Sequence, residues 1–246
     1  KEKTQPMCMN LTLQNMSNNK NIDLLLCDFF VLKDVRKLAA TILSKYEKID
    51  VLVNNAGMIA KERTLTEEHY ESTFAINHLA VFLLTNLLLE RIKATPNARI
   101  VSVASDAHRM VKAFDFGNLQ GEKSFKQWEA YGLSKLCNIY FTYELAKRLQ
   151  GSEVTANCLH PGVVRTNFGN DSSKMIKWGV KFLGMFLLSP EKGAETSIFL
   201  ATSDDVTNVT GKYFVKKRQA LSSEFSYNED ISKKLWEHSE KLVGLA

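Results

Sequence analysis

Tyr131 and Lys135 stand four residues apart in the run Trp128-Glu129-Ala130-Tyr131-Gly132-Leu133-Ser134-Lys135-Leu136-Cys137-Asn138-Ile139-Tyr140-Phe141. On a helix this spacing puts the phenol and the ammonium on one face. A phenol with an ordinary pKa of about 10 exchanges protons poorly near neutrality. A cation held beside it favours the phenolate, and the pair can then act as a proton relay. The same spacing also occurs on solvated helix faces, so the chemistry depends on what the rest of the chain brings to the pair.

Three other segments offer partners. Ala98-Arg99-Ile100-Val101-Ser102-Val103-Ala104-Ser105 reads as a buried strand over Ile100–Ala104 that ends in a hydroxyl. Asp50-Val51-Leu52-Val53-Asn54-Asn55-Ala56-Gly57 reads as an apolar strand that breaks at small residues, where a backbone can approach a ligand. Ligands of such sheets bind beyond the carboxyl ends of the strands. Val154–Leu159 is a further apolar strand, broken by Pro161 and Gly162. Asn77 lies within an apolar stretch predicted as one helix from Thr66 to Arg91, with Thr66-Glu67-Glu68-His69 as its cap. An amide there costs free energy unless its partners are supplied.

In order and spacing, Asn54-Asn55-Ala56-Gly57, Asn77, Ser105, the Tyr131–Lys135 pair and His160-Pro161-Gly162-Val163-Val164-Arg165-Thr166 resemble the short-chain dehydrogenase/reductase family, from about residue 22 to the C-terminus. Glu144-Leu145-Ala146-Lys147-Arg148-Leu149 and Gly211-Lys212-Tyr213-Phe214 look like its retinol dehydrogenase-like branch, which also carries a loop such as Phe114-Asp115-Phe116-Gly117-Asn118-Leu119. The resemblance implies an α/β fold with a doubly wound, Rossmann-like parallel sheet. It also implies hydride transfer between NADP(H), or NAD(H), and a lipophilic, retinal-like aldehyde or ketone and its alcohol. In that scheme Tyr131 exchanges the proton with the substrate oxygen, and Ser105 holds the carbonyl. Lys135 lowers the Tyr131 pKa and binds the nicotinamide ribose. Asn77 marks a local helix bend and holds a water that links Lys135 to solvent. Asp28 would hydrogen-bond the adenine, although by itself it reads equally as a turn residue. Asn54, Ala56, Gly57, Pro161, Gly162 and Val164 would line the cofactor, and Thr166 would touch its carboxamide or pyrophosphate. His108 and Arg109 read as solvated loop residues, and His160 as packing.

By the same resemblance residues 172–188 form a substrate lid. Its apolar run Met175–Leu188 carries two lysines and suits a lipid-like substrate or a bilayer surface. Family members often pair through the helices bearing Asn77 and Tyr131, so a homodimer is expected. The expected location is the cytoplasm or the cytosolic face of an intracellular membrane such as the endoplasmic reticulum.

A length of 246 residues suits one α/β domain over 1–246, and 45% hydrophobic residues suffice for a sizeable core. The net charge of +5 is modest, and no run of five Lys or Arg occurs, which argues against a nucleic-acid partner. The four cysteines lack metal-ligand spacing and read as buried reduced thiols. No run of 18 apolar residues occurs, so no spanning helix is predicted.

Ile22–Cys27 reads as a buried parallel strand, Leu32–Tyr46 as a helix, about Phe125 to Leu149 as the Tyr131 helix, Pro190–Thr202 as a helix, Gly211–Val215 as a short strand and Asp230–Leu245 as an amphipathic helix. All 12 glycines lie at or beyond Gly57, so the family's Gly-rich phosphate turn has no counterpart here. The chain therefore reads as lacking the first β-α-β unit, leaving a gap with two open edges between Ile22–Cys27 and Asp50–Asn54. Either an upstream segment supplies that unit, or the chain binds nucleotide poorly. The competing reading is a truncated, catalytically silent family member that acts as an interaction or regulatory protein.

Overall fold

Apolar runs bounded by turn residues become the strands of one sheet, which the computed structural model describes together with its helices over residues 14, 16–163 and 188–246. The strands β1 (Val51–Asn54), β2 (Arg99–Val103), β3 (Thr155–His160), β4 (Tyr213–Val215) and β5 (Arg218–Ala220) lie side by side in that order. The first four are parallel, with Val53 opposite Val101 and Val101 opposite Asn157. The last two form an antiparallel hairpin.

Alternate strand residues face opposite sides. Ile100 and Ala156 join a large core with the helices α1 (Leu32–Lys45), α2 (Ser72–Lys93), α3 (Gln127–Arg148) and α5 (Glu229–Leu242). Val101 and Leu159 pack on the other face against Leu200 of α4 (Pro190–Thr202). The doubly wound architecture is as expected. Among the described residues the sheet stops at β1, where Val51 and Val53 are 37% and 42% exposed.

Two expectations are corrected here. Residues 22–27 form no strand, and Leu26 is 71% exposed. A strand needs a neighbour's hydrogen-bonding edge, and no described strand offers one there. Cys27 and Phe29 pack against the core instead. Among the described residues, the anticipated gap with two open edges is therefore a single open edge on β1. The Asn77 helix starts at Ser72, not Thr66. Thr66 N–H donates to the Tyr70 carbonyl, and His69 takes a left-handed φ of 64°, closing a turn before the helix. The buried Glu71 carboxylate then caps α2 by accepting from the Thr73 and Phe74 amides.

α2 is long and apolar enough to cross a bilayer, the one such helix among the described residues, but most of it is buried inside the fold. It is a core helix. The predicted α3, α4 and C-terminal helices agree closely with those observed. The β4–β5 hairpin was not anticipated. It turns on Lys216 and Lys217, both at positive φ (49° and 63°), a geometry for which Asn-Gly is the usual sequence signal.

α5 closes the outer face of α2 and α3. Trp236 stacks on Phe141 at 5.7 Å and meets the edge of Phe82 at 4.9 Å. Leu235 beside it is 1% exposed, a burial worth about 1.5–3 kcal/mol.

Candidate active site

The carboxyl ends of β1, β2 and β3 face the N-terminal half of α3, and the chemistry-bearing side chains converge there. Ser105 is two residues beyond β2, in extended backbone, and begins the short 3-10 helix Asp106–Met110. Its side chain reaches the Tyr131 phenol closely enough to pull that group's pKa down. The Ser105 Oγ also accepts from the Ala107 amide at 3.2 Å.

Lys135 lies one turn beyond Tyr131 and is 3% exposed. Its Nζ donates to the Val103 carbonyl at 2.9 Å and stands 5.8 Å from the centre of the Tyr131 ring. Burial disfavours the ammonium and brings its pKa down to about 8. The phenol behaves differently from the expectation. Burial pushes Tyr131 above its ordinary value, and the Ser105 side chain pulls it back only in part. No lowering by Lys135 accompanies these two influences on the phenol.

Asn77 is fully buried in a π-helical turn, Ala75–Leu79, that interrupts α2. Such turns insert an extra residue and often mark functional sites. The local irregularity expected at Asn77 is therefore present. Its side chain clasps the backbone of Met58: Oδ1 accepts from the Met58 amide at 2.7 Å, and Nδ2 donates to the Met58 carbonyl at 2.9 Å. Nδ2 also donates to the Ser134 Oγ at 2.9 Å, and Ser134 in turn donates to the Tyr131 carbonyl at 2.8 Å. One amide thus ties the β1 exit loop to α3 and leaves none of its own polar atoms unpaired.

Gly57 lies in the same knot. A Cβ there would sit 3.1 Å from Lys135 Nζ and 3.3 Å from Asn77 Oδ1. Its absence leaves a cradle directly over the buried ammonium, and Ala56 beside it is exposed. Asn54 closes β1, donating to the Thr85 hydroxyl at 3.0 Å and so fastening the strand to α2. Pro161 and Gly162 follow β3, with Gly162 at φ 87°. Asp28 is exposed, and its carboxylate closes a turn by accepting from the Phe30 amide at 2.9 Å. Val164, Thr166 and all of the 172–188 segment except Leu188 lie outside the described residues.

Sequence reasoning missed three contributors. Gly132 is one: a Cβ there would stand 2.7 Å from the Ala107 carbonyl oxygen, so only glycine lets α3 press against the turn that carries Ser105. Ser134 is another, read only as part of the helical run. His108 is the third. Expected in solvent, it is fully buried. His160 does pack, as expected, with Nδ1 accepting from the Asp106 amide at 3.3 Å.

The short chain dehydrogenase family model matches residues 7–177. Human retinol dehydrogenase 13 is 38% identical over 240 residues, covering 95% of this chain and 71% of the relative. Mouse retinol dehydrogenase 14 is 39% identical over 227 residues, covering 89% of this chain and 66% of the relative. The chain thus spans about two thirds of the length of such relatives. Among solved structures, a crystal structure of a Mycobacterium paratuberculosis protein superposes with a TM-score of 0.69 at 29% identity, over 89% of this chain and 74% of the other. The complex of Pseudomonas aeruginosa RhlG with NADP shares the fold, with a TM-score of 0.64 at 22% identity over 85% and 81% of the two chains. The matched family model, the retinol dehydrogenase-like sequence and the joined Ser105, Tyr131 and Lys135 lead to one statement: the chain belongs to the short chain dehydrogenase family.

Proposed function

We propose that this chain is an oxidoreductase that interconverts a lipophilic, retinal-like aldehyde or ketone and its alcohol, using NADP(H) or, with the same residues, NAD(H). The observation that carries the proposal is the meeting of Ser105, Tyr131 and a buried Lys135, whose Nζ stands 5.8 Å from the centre of the Tyr131 ring. A substrate oxygen between the two hydroxyls would accept from both. Ser105 orients the carbonyl and stabilises the negative charge that develops on it. Tyr131, held protonated by burial, donates the proton during reduction and takes it back during oxidation.

The cradle over Lys135 fits a nicotinamide ribose. A buried ammonium that donates to one neutral carbonyl has donors to spare, and Gly57 leaves room above it. When bound, the nicotinamide supplies or accepts the hydride. Asn54, Ala56, Gly57, Pro161 and Gly162 would line its binding edge, joined by Val164, Thr166 and Asp28 as the family resemblance implies. The catalytic set is Asn77, Ser105, Tyr131 and Lys135. Asn77 acts by holding the Met58 loop against Lys135, and the water linking Lys135 to solvent belongs to this proposal. Residues 172–188 would cover the substrate and touch a bilayer surface, placing the protein in the cytoplasm or on the cytosolic face of the endoplasmic reticulum. The whole of 1–246 would act as one domain. A homodimer would pair through the helices that bear Asn77 and Tyr131, α2 and α3.

Tyr131→Phe tests the mechanism. Turnover of a lipophilic aldehyde with NADPH should fall by on the order of a hundredfold or more while the fold persists. Normal turnover would remove the proposal. A silent interaction protein would instead leave nicotinamide fluorescence unchanged on cofactor titration.

A further inference from the structure

The mechanism above needs Ser105 in one place, yet Ser105 sits on a short turn rather than in a strand. Within that turn His108 is fully buried. Its Nδ1 lies 2.6 Å from the Ser105 carbonyl oxygen, and its Nε2 lies 2.9 Å from the Ser223 amide nitrogen. A carbonyl can only accept and an amide N–H can only donate, so the two contacts together require a neutral ring with the proton on Nδ1. Protonation of Nε2 would set two N–H groups against each other.

The ring is wedged from every side. Tyr213 of β4 meets it edge-on at 5.3 Å, and the Tyr213 hydroxyl donates to Asp106 Oδ1 at 2.9 Å. His160 of β3 accepts from the Asp106 amide, and Arg109 reaches across to the Leu221 carbonyl at 2.6 Å. The charged and titratable groups around His108 are thus Asp106 and Arg109 on its own turn, His160 on β3 and Tyr213 on β4. Burial is the largest influence on the imidazole and holds it below its ordinary value, in agreement with the neutral ring that the contacts demand.

We infer that His108 is a positioning residue for the Ser105 hydroxyl, anchoring the Ser105 turn to the segment around Ser223 that follows the β4–β5 hairpin. It does not touch the substrate. It fixes the carbonyl of Ser105, and with it the direction in which the Ser105 side chain leaves the backbone toward Tyr131. The inference rests on the proposed reaction for its kinetic consequence and on geometry alone for its structural one.

The test is a double-mutant cycle with a rescue arm. His108→Phe keeps a ring in the slot and removes both hydrogen bonds. It should lower kcat by about tenfold to a hundredfold, as expected when a reacting group is slightly misplaced, with little change in cofactor KM. In a Ser105→Ala background the same substitution should have little further effect on the residual kcat, because the group it positions is gone. His108→Gln keeps a donor and an acceptor and should lie closer to the wild type than His108→Phe does. Equal losses in both backgrounds, or His108→Gln no better than His108→Phe, would overturn the inference and leave His108 a packing residue. Nitrogen-15 NMR of histidine-labelled wild-type chain supplies a readout without turnover. It should show His108 neutral with the proton on Nδ1 at pH 7, and an Nε2–H or charged ring would also overturn the inference. A wild-type chain that turns over no lipophilic aldehyde with either cofactor would refute the proposed reaction while leaving the NMR result readable.

Discussion

Tyr131 and Lys135 carry opposite consequences of the same burial. Loss of water raises the phenol and lowers the ammonium, so both groups are pushed toward their neutral forms. For carbonyl reduction that arrangement is productive on the phenol side, since the proton to be donated is retained. Lys135 is the group that titrates near the working range. With its pKa brought down to about 8, the ammonium is complete below that pH and is lost as pH rises through it. We therefore expect kcat/KM for the cofactor in the reduction direction to hold below pH 8 and fall above it, since this parameter reports the free enzyme. A profile flat to pH 10 would show that the ammonium is not required.

At the level of elements, the site depends on how closely α3 approaches the turn after β2. Gly132 governs this approach through the 2.7 Å that a Cβ would leave to the Ala107 carbonyl oxygen. Gly132→Ala should raise intrinsic helix propensity by about 1 kcal/mol and still destabilise the protein by about 1–3 kcal/mol, because the clash is with backbone. The displaced turn would carry Ser105 away from Tyr131, with a kcat loss of tenfold or more. Urea unfolding and steady-state kinetics on one preparation decide this: a variant more stable than wild type and fully active would refute it. The π turn at Ala75–Leu79 is the second such device, since the extra residue brings the Asn77 amide onto the Met58 backbone.

Across the whole molecule, α5 is the strap that completes the core on the side of α2 and α3. His78 sits beneath it, wholly buried among Phe74, Phe82 and Phe141, with Nε2 2.8 Å from the Ser239 hydroxyl of α5. Burial lowers its pKa to about 3, against an ordinary value of 6.5. The sign follows from linkage: the unfolded chain takes up a proton below about pH 6.5, while the native ring stays neutral until about 3. The contribution is fully present above pH 6.5 and is lost as pH falls, at up to about 1.4 kcal/mol per pH unit. Urea unfolding from pH 7 to pH 5 should show this slope, and His78→Gln, which does not titrate, should show a shallower one. Equal slopes would mean that His78 does not link acid to the loss of α5 docking.

Much of this protein was readable in its residues, for a local reason. The alternation of buried strands and amphipathic helices, and the hydroxyl, phenol, amine and amide at family spacing, are properties of short segments. Periodicity and residue type therefore identify them, and α4 was read to the residue. What the tertiary structure decided were matters of partnership between segments distant in sequence. Ile22–Cys27 has the composition of a strand but pairs with no described strand. The role of His108 depends on Ser223, more than a hundred residues away. Gly132 matters because of Ala107, and the Lys135 ammonium finds its acceptor in Val103, on a strand more than thirty residues earlier. A sequence specifies which groups are available and roughly where each element begins. Which group engages which is set only when packing removes water and each buried donor must find an acceptor.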